Sequence, residues 1–296
     1  MDNDDLMTHA VEKLRATQTT PSRPCKICRA ESIPYDVVDF NKSCASPDYP
    51  PAMSMIPVIY RKCQECGFIY TDFFDDFSAD QWTRYVYNED YIKVDPEYAS
   101  IRPRQNASSL ACFLTRPKES VIGLDYGGGN GLTAALLRRQ GWIYDSFDPF
   151  GYTDILPERI GRYNFCTAIE VFEHSTDPVG LLQGLLEKAS PDRLIVVITT
   201  ATTDGSLSNH TRLAWWYAAP RNGHVSLYSL NSLDVLAKRF GLMCTYIRSP
   251  PYLLTRGFGA REARKVIIDG KLRRIRQKLR QRLGLRNAVN IATEVS

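Results

Sequence analysis

The sequence predicts an α/β chain: a Rossmann-like, doubly wound, mainly parallel sheet, with a small cysteine-bearing module ahead of it and a basic helix behind it. Three observations carry this expectation. From residue 121 onward, short apolar runs alternate with segments of helical periodicity, the rhythm of strand and crossover helix. A glycine-dense turn follows the first of these runs. Two C-x-x-C pairs, Cys25/Cys28 and Cys63/Cys66, stand upstream.

Taken in order, residues 1–20 place Leu6, Ala10, Val11 and Leu14 at helical spacing, but the Asp, Thr and Gln around them predict a frayed terminus. Residues 21–72 hold the paired cysteines, several prolines and apolar runs at 57–60 and 68–70, which read as hairpins around a metal. Residues 73–118 form an aromatic-rich bridge or lid. Residues 119–258 make the main domain, with strands over 121–125, 142–147, 165–171 and 194–199 and helices over 132–140 and 179–189. A loop over 204–222 precedes a helix over 229–240 and strands near 243–247 and 252–254. Residues 259–296 form a basic amphipathic helix and tail.

At 296 residues, 44% hydrophobic and 24% charged, the chain buries a substantial core. No stretch reaches the roughly 18 apolar residues of a membrane span, and residues 1–6 are acidic where a secretory leader is basic and apolar. A cytoplasmic location follows as the expectation, and in that reducing compartment eight cysteines are thiols and metal ligands. The net charge of +4 is uneven: residues 256–286 carry 12 Lys/Arg against Glu262 and Asp269, so the remaining chain is mildly acidic.

The glycine turn carries the first functional expectation. Asp125 ends a strand, and Tyr126, Gly127, Gly128, Gly129 and Gly131 lead into a helix. Without side chains the turn lets backbone N–H groups approach a ligand, and the helix N-terminus adds a positive dipole. Asp148 lies 23 residues past Asp125 at the end of the next strand, where a carboxylate accepts hydrogen bonds from both ribose hydroxyls. Together they predict a nucleoside-bearing cofactor.

The spacing Asp125-x-Gly127-x-Gly129-x-Gly131 resembles the first motif of class I S-adenosylmethionine-dependent methyltransferases. The resemblance continues through Glu170, Glu173-His174 and Asp177-Pro178 at the fourth-strand motif. It extends to Trp216-Tyr217, Pro220, and Gly223-His224 through Ser229, covering most of residues 60–255. It is to a broad bacterial family whose members often modify saccharides or other small metabolites, and it implies the class I methyltransferase fold with S-adenosylmethionine as cofactor. By the same resemblance Asp125 and the loop glycines surround the methionine part, Asp148 holds the ribose, Pro149 and Phe150 follow it, Phe147 and Phe150 flank the adenosine, and Glu170 lies near the amino group. Asn164 departs from the family, which has an acid there. The short link from Asp148 to Phe165 leaves little room for a third strand and helix.

Each C-x-x-C pair grips one ion through both sulfurs, and four thiolates, Cys25, Cys28, Cys63 and Cys66, suit tetrahedral zinc. With four protein ligands such an ion has no open position, so it supports folding. Cys44, inside the 34-residue gap, is a spare ligand or a free thiol. A module of this kind ahead of a methyltransferase domain resembles a sugar C-methyltransferase family.

Methyl transfer to a hydroxyl or carbon acid needs an aligned nucleophile and a proton acceptor. His224 is the first choice for that base and His174 the second. The sugar C-methyltransferases carry Tyr-x-Glu-His here, whereas Arg221, Asn222 and Gly223 precede His224, so a companion acid is missing from this segment. Glu173 and Asp177 read as acids favouring a helix dipole. Tyr91, Trp216 and Tyr217 are candidate substrate contacts, with loop anchoring as the alternative.

In the tail, Ile268, Leu272, Ile275, Leu279 and Leu283 mark one helical face among arginines and lysines. It fits an anionic membrane surface, RNA phosphates, or docking on its own domain. The sequence therefore predicts a methyltransferase for a saccharide or related metabolite, with oxygen favoured over carbon, in the cytoplasm, with the inner face of the membrane as an alternative location. The rivals are an RNA methyltransferase, for which no Asn-Pro-Pro-Tyr motif is present, and a non-catalytic zinc-stabilised scaffold. A nicotinamide dehydrogenase fits the glycine spacing poorly.

Overall fold

The computed structural model describes residues 3–44, 52–114, 117–207, 211–247 and 249–283. From the N-terminus the elements are α1 (Asn3–Thr19), β1 (Arg23–Pro24), β2 (Glu31–Asp39), β3 (Pro57–Cys63), β4 (Ile69–Thr71), α2 (Ala79–Tyr85), α3 (Tyr91–Val94) and α4 (Ile101–Leu110). They continue as β5 (Ile122–Tyr126), α5 (Leu132–Arg139), β6 (Ile143–Phe147), β7 (Phe165–Ile169), α6 (Pro178–Leu186) and β8 (Leu194–Thr199). The last are β9 (Ser226–Leu227), α7 (Leu230–Arg239), β10 (Met243–Ile247), β11 (Ser249–Arg256) and α8 (Ala260–Arg282).

The chain divides into two units. The first is drawn from the chain up to Pro96, from Phe172–Leu182 and from Thr200–Phe240. The second is drawn from Glu97–Val171, Gln183–Thr199 and the chain from Gly241 onward. The segment expected as one domain over 119–258 is thus shared between them, and the expected boundaries at 72 and 118 are not where the units part.

The second unit holds a six-stranded sheet in the order β10-β11-β8-β7-β5-β6. β6, β5, β7 and β8 run parallel, and β11 and β10 close the far edge antiparallel. Parallel strands covered on both faces read as unbroken apolar runs, which is why Leu194 to Ile198 needs no alternation. On one face Tyr144, Phe165, Ile195, Val197 and Leu253 pack with Ala107 and Leu110 of α4, Ala134 and Leu137 of α5 and Ile267 of α8. β6 is the edge strand, because the short link to β7 forms only a 3₁₀ turn at Pro157–Arg159. Strand order reverses beside β5, the switch point where doubly wound sheets bind ligands at their carboxyl ends.

The first unit holds an antiparallel sheet in the order β1-β2-β3-β4-β9. Its outermost strand, β9, pairs Ile69 with Leu227, 158 residues further along the chain. The N-terminus is not frayed. α1 is a full helix because Leu6 and Ala10 enter the core beside Phe73 and Phe74, and its end is fastened by a buried arginine. Arg61, fully enclosed in β3, donates to Thr17 Oγ1 at 3.0 Å, to the Pro21 carbonyl at 2.7 Å and to Asp72 at 3.0 Å. Burial of that apolar face outweighs weak local propensity.

α8 is the basic helix expected from the sequence, and the structure places its apolar residues. Its contact with the sheet is made by Ala263 and Ile267, both fully buried, while Ile268, Leu272, Ile275, Leu279 and Leu283 are exposed.

Candidate functional site

In the second unit the glycine loop is built where expected. Asp125 ends β5 almost wholly buried, and its carboxylate accepts from Thr167 Oγ1 at 2.7 Å, which in turn accepts from Tyr144 Oη at 3.1 Å. Burial is the main cause that pushes the Asp125 carboxyl up to about 6, with the Thr167 hydroxyl pulling the other way and the Asp148 charge adding to the rise. Gly127 and Gly131 have φ of +76° and +74°. A Cβ at Gly127 would lie 2.5 Å from Val171, and one at Gly131 2.4 Å from the Tyr152 ring. Both positions exclude a side chain on conformational and steric grounds.

Asp148 folds back across the loop. One oxygen accepts from the Gly129 N–H at 2.8 Å and the other from the Phe150 N–H at 2.9 Å. Each oxygen keeps further accepting capacity. Pro149 and Phe150 are exposed, Phe150 at 85%. Tyr126 is different: successive strand residues face opposite sides, so its ring packs on Phe147 at 5.0 Å between centroids, and only its backbone belongs to the loop.

Glu170, just past β7, adopts φ of +53°, a left-handed conformation that costs a non-glycine residue about 1 kcal/mol or more. Its N–H donates to the Thr199 carbonyl at 3.1 Å, and its carboxylate accepts from Thr199 Oγ1 at 2.9 Å. It lines a cavity of about 240 Å³ in this unit, together with Arg102, Asn106 and Ser109 of α4, Thr199 and Arg274.

In the first unit the four paired cysteines converge. Their sulfurs all lie within 4.8 Å of one another, with Cys25–Cys66 at 3.7 Å and Cys28–Cys63 at 3.4 Å. Those separations exclude disulfides. They match the roughly 3.8 Å edge of a tetrahedron whose centre is about 2.3 Å from each sulfur. Backbone N–H groups of Ile27 and Cys66 point at Cys25 and Cys63 sulfurs, both at 3.4 Å. The residue after each pair, Arg29 or Gly67, is left-handed, at φ of 68° and 72°. The hydrogen bond from Cys66 is the largest of the influences that pull the Cys25 thiol down to about 5. This donor set is arranged to hold one metal ion.

The same unit assembles a histidine cluster. His224, 6% exposed, has Nδ1 at 2.8 Å from the Tyr217 carbonyl. A carbonyl only accepts, so Nδ1 carries the proton and Nε2 has the lone pair. His174 sits 5.0 Å away between ring centroids, with its Nδ1 3.3 Å from Tyr87 Oη. Glu173, fully buried, accepts from Tyr217 Oη at 2.6 Å, and one donor atom each of Glu173, His174 and His224 fall within 4.8 Å. A carboxylate absent from 221–223 is present near the two histidines in Glu173, which lies in a 3₁₀ turn, 4.0 Å from His174 Nε2. Cys44 joins this group, its sulfur 3.5 Å from His224 Nδ1, and takes no place among the four metal-holding thiols.

Of the expected substrate residues, Tyr91 is buried, packs on Tyr87 at 5.0 Å and donates to the Asn222 carbonyl at 3.5 Å. Tyr217 is buried with its hydroxyl committed to Glu173, so it orients the cluster instead of offering a free stacking face. Trp216 is 57% exposed and its ring meets Tyr217 edge-on at 5.1 Å. Sequence reasoning named Glu173, Cys44 and Tyr87 without placing them beside the histidines, and it gave no role to Arg221, which is buried and donates to the Val86 carbonyl and Asn88. The one available signal was the adjacency of Glu173 to His174.

A family model described as a methyltransferase domain matches residues 98–247 of the 296-residue chain. No curated protein matches its sequence. Among solved structures the chain is similar to the mitomycin 7-O-methyltransferase MmcR, with 15% identity, a TM-score of 0.43 and 62% of each chain covered. It is similar to the plantazolicin methyltransferase BpumL in complex with SAH at 17% identity and a TM-score of 0.41, covering 66% of this chain and 86% of that one. For the magnesium protoporphyrin IX methyltransferase of Synechocystis PCC 6803 with bound SAH the values are 16%, 0.37, 62% and 95%. The chain spans 62% of the length of the first of these.

Proposed function

The chain belongs to the methyltransferase domain family, and we propose that it is a class I S-adenosylmethionine-dependent methyltransferase that methylates a hydroxyl of a saccharide or related small metabolite. The observation that carries the acceptor chemistry is the contact of His224 Nδ1 with the Tyr217 carbonyl, which puts the imidazole proton on Nδ1 and the basic lone pair on Nε2.

When bound, the cofactor supplies an electrophilic methyl on a positively charged sulfur. Asp125, the backbone of Tyr126 and Gly127 to Gly131, Asp148 with Pro149 and Phe150, and Glu170 are the residues proposed to hold it. Asp148 accepts hydrogen bonds with both oxygens. Gly127 and Gly131 keep the loop open to backbone approach. With that methyl donor held by these residues, His224 Nε2 would take the proton of the acceptor hydroxyl as the oxygen is methylated. Tyr217 orients His224 through its carbonyl and Glu173 through its hydroxyl. His174 is the alternative base, and Tyr91 and Trp216 are proposed to contact the acceptor.

A polar acceptor is supported by the cavity beside Glu170, whose Arg102, Asn106, Ser109, Thr199 and Arg274 offer donors to hydroxyls and to an anionic group such as a sugar phosphate. The ion held by Cys25, Cys28, Cys63 and Cys66 is proposed to be zinc in a closed, structural site. Cytoplasmic residence is proposed from eight cysteines with no disulfide; no described helix is long and apolar enough to cross a membrane.

Calorimetric titration with S-adenosylhomocysteine tests the cofactor residues. Saturable binding is expected for the wild type and none for Gly127→Arg or Asp148→Ala, while binding retained by both variants would refute the assignment. A screen of nucleotide sugars then tests the acceptor. His224→Gln should lower kcat by about 10²–10⁴ with cofactor affinity unchanged; turnover on RNA and none on sugars would overturn the saccharide reading.

A further inference from the structure

α8 has two distinct faces. At about 100° per residue, with Leu272 as origin, Ala263, Gly270 and Ile267 fall near 180°, 160° and −140°. These are the residues that are buried. Gly270 permits the close approach: a Cβ there would lie 2.3 Å from the Phe113 ring. On the same scale Ile275, Ile268, Leu279, Leu272 and Leu283 span about −60° to +20°, opposite the docked face. They are 54%, 47%, 51%, 47% and 71% exposed.

The borders of this stripe are cationic. Arg264 and Arg282 lie near −80°, Lys265 near +20° and Arg276 near +40°, and all four are exposed. Of the two acids on the helix, Glu262 is paired with Arg193, and Asp269 is partly buried.

The stripe demands an apolar partner, and its borders demand a negative one. A second copy of α8 meets the first demand and fails the second, because it sets the exposed border residues Arg264, Lys265, Arg276 and Arg282 against like charges. An RNA backbone meets the second and leaves the stripe in water. A bilayer surface carrying anionic lipid meets both.

We propose that α8 is an interfacial helix that lies flat on an anionic membrane, with Ile268, Leu272, Ile275 and Leu279 entering the headgroup boundary and the flanking arginines and lysines at the level of the lipid phosphates. The stripe from Ile268 to Leu283 runs about 22 Å along a helix about 35 Å long. The docked face stays against the sheet, so adsorption needs no unfolding of the unit. The proposal does not depend on the identity of the methyl acceptor.

Cosedimentation of the full chain with vesicles tests it, using phosphatidylcholine alone and phosphatidylcholine with about one third phosphatidylglycerol. Binding to the anionic vesicles is expected, with far less to the neutral ones and loss at high salt. The triple variant Leu272→Gln, Ile275→Gln, Leu279→Gln should weaken it by more than about a hundredfold, and Arg264→Gln with Arg276→Gln by about thirtyfold. Because all five side chains are exposed, both variants should keep the wild-type melting temperature and bind S-adenosylhomocysteine as the wild type does. Absence of wild-type binding, or triple-variant binding equal to wild type, would overturn the proposal. So would a dimer abolished by the triple variant in a chain that ignores vesicles, RNA binding that the triple variant retains without any vesicle binding, or vesicle binding that appears only when residues 284–296 are removed.

Discussion

Replacing Asp125 by asparagine should stabilise the folded apoprotein while weakening cofactor affinity. The Asp125 carboxyl is held near 6 by burial, against 3.8 for an ordinary aspartate. Between those values the folded protein retains a proton that the unfolded chain has lost. Stability therefore falls as pH rises through that window, and above about 6 the whole penalty is present. A displacement of that size corresponds to about 3 kcal/mol. Asparagine removes the charge and still accepts from Thr167, but its buried amide brings new donors that cost about 1 kcal/mol if unmet. The variant should be more stable by about 2 kcal/mol near pH 8, and its advantage should shrink to about zero near pH 4.5. Urea unfolding of both zinc-loaded proteins across that range measures the difference, and acid loss of the metal cancels because it is common to both. A variant less stable near pH 8, or a difference that does not change with pH, would refute burial of a charged carboxylate as the source. Titration with S-adenosylhomocysteine should show affinity lost by tenfold or more, about 1.4 kcal/mol, as stability is gained.

Removing the metal should be more damaging than removing any single contact in the first unit. A chelator strong enough to strip zinc, or Cys63→Ser, should release one ion per chain and cost several kcal/mol, read by a thiol-sensitive zinc assay beside circular dichroism; retention of folded signal after stoichiometric release would make the site dispensable. Gly270→Val should cost about 1–3 kcal/mol by driving a side chain into Phe113. Combining it with Phe113→Leu should recover part of that loss in thermal melts, and strict additivity of the two would show that they do not meet.

The features legible in advance are those whose partners lie nearby in the chain. Val121 to Gly131 contains its own strand, turn and helix start, so apolar run and glycine spacing identified them together, and the short link after Asp148 rightly left β6 at the sheet edge. The two cysteine pairs were legible for the same reason, since each half-site spans four residues. The N-terminal helix was misread because its stability rests on Arg61 and Phe73, 44 residues or more away from the groups they hold.

What the sequence by itself determined is the local chemistry: a strand and glycine turn for a nucleoside cofactor, four thiols at metal-binding spacing, and a cationic helix with an apolar stripe. Only the tertiary structure decided how His224 is equipped. Glu173, Tyr217 and Cys44 reach it from three parts of the chain, the last 180 residues distant, and no spacing rule records a contact of that range. It also decided the orientation of α8. An amphipathic helix is expected to bury its larger apolar residues, but here Ala263, Ile267 and Gly270 form the inner side, Gly270 allows the close approach to Phe113, and the Ile and Leu stripe is turned outward.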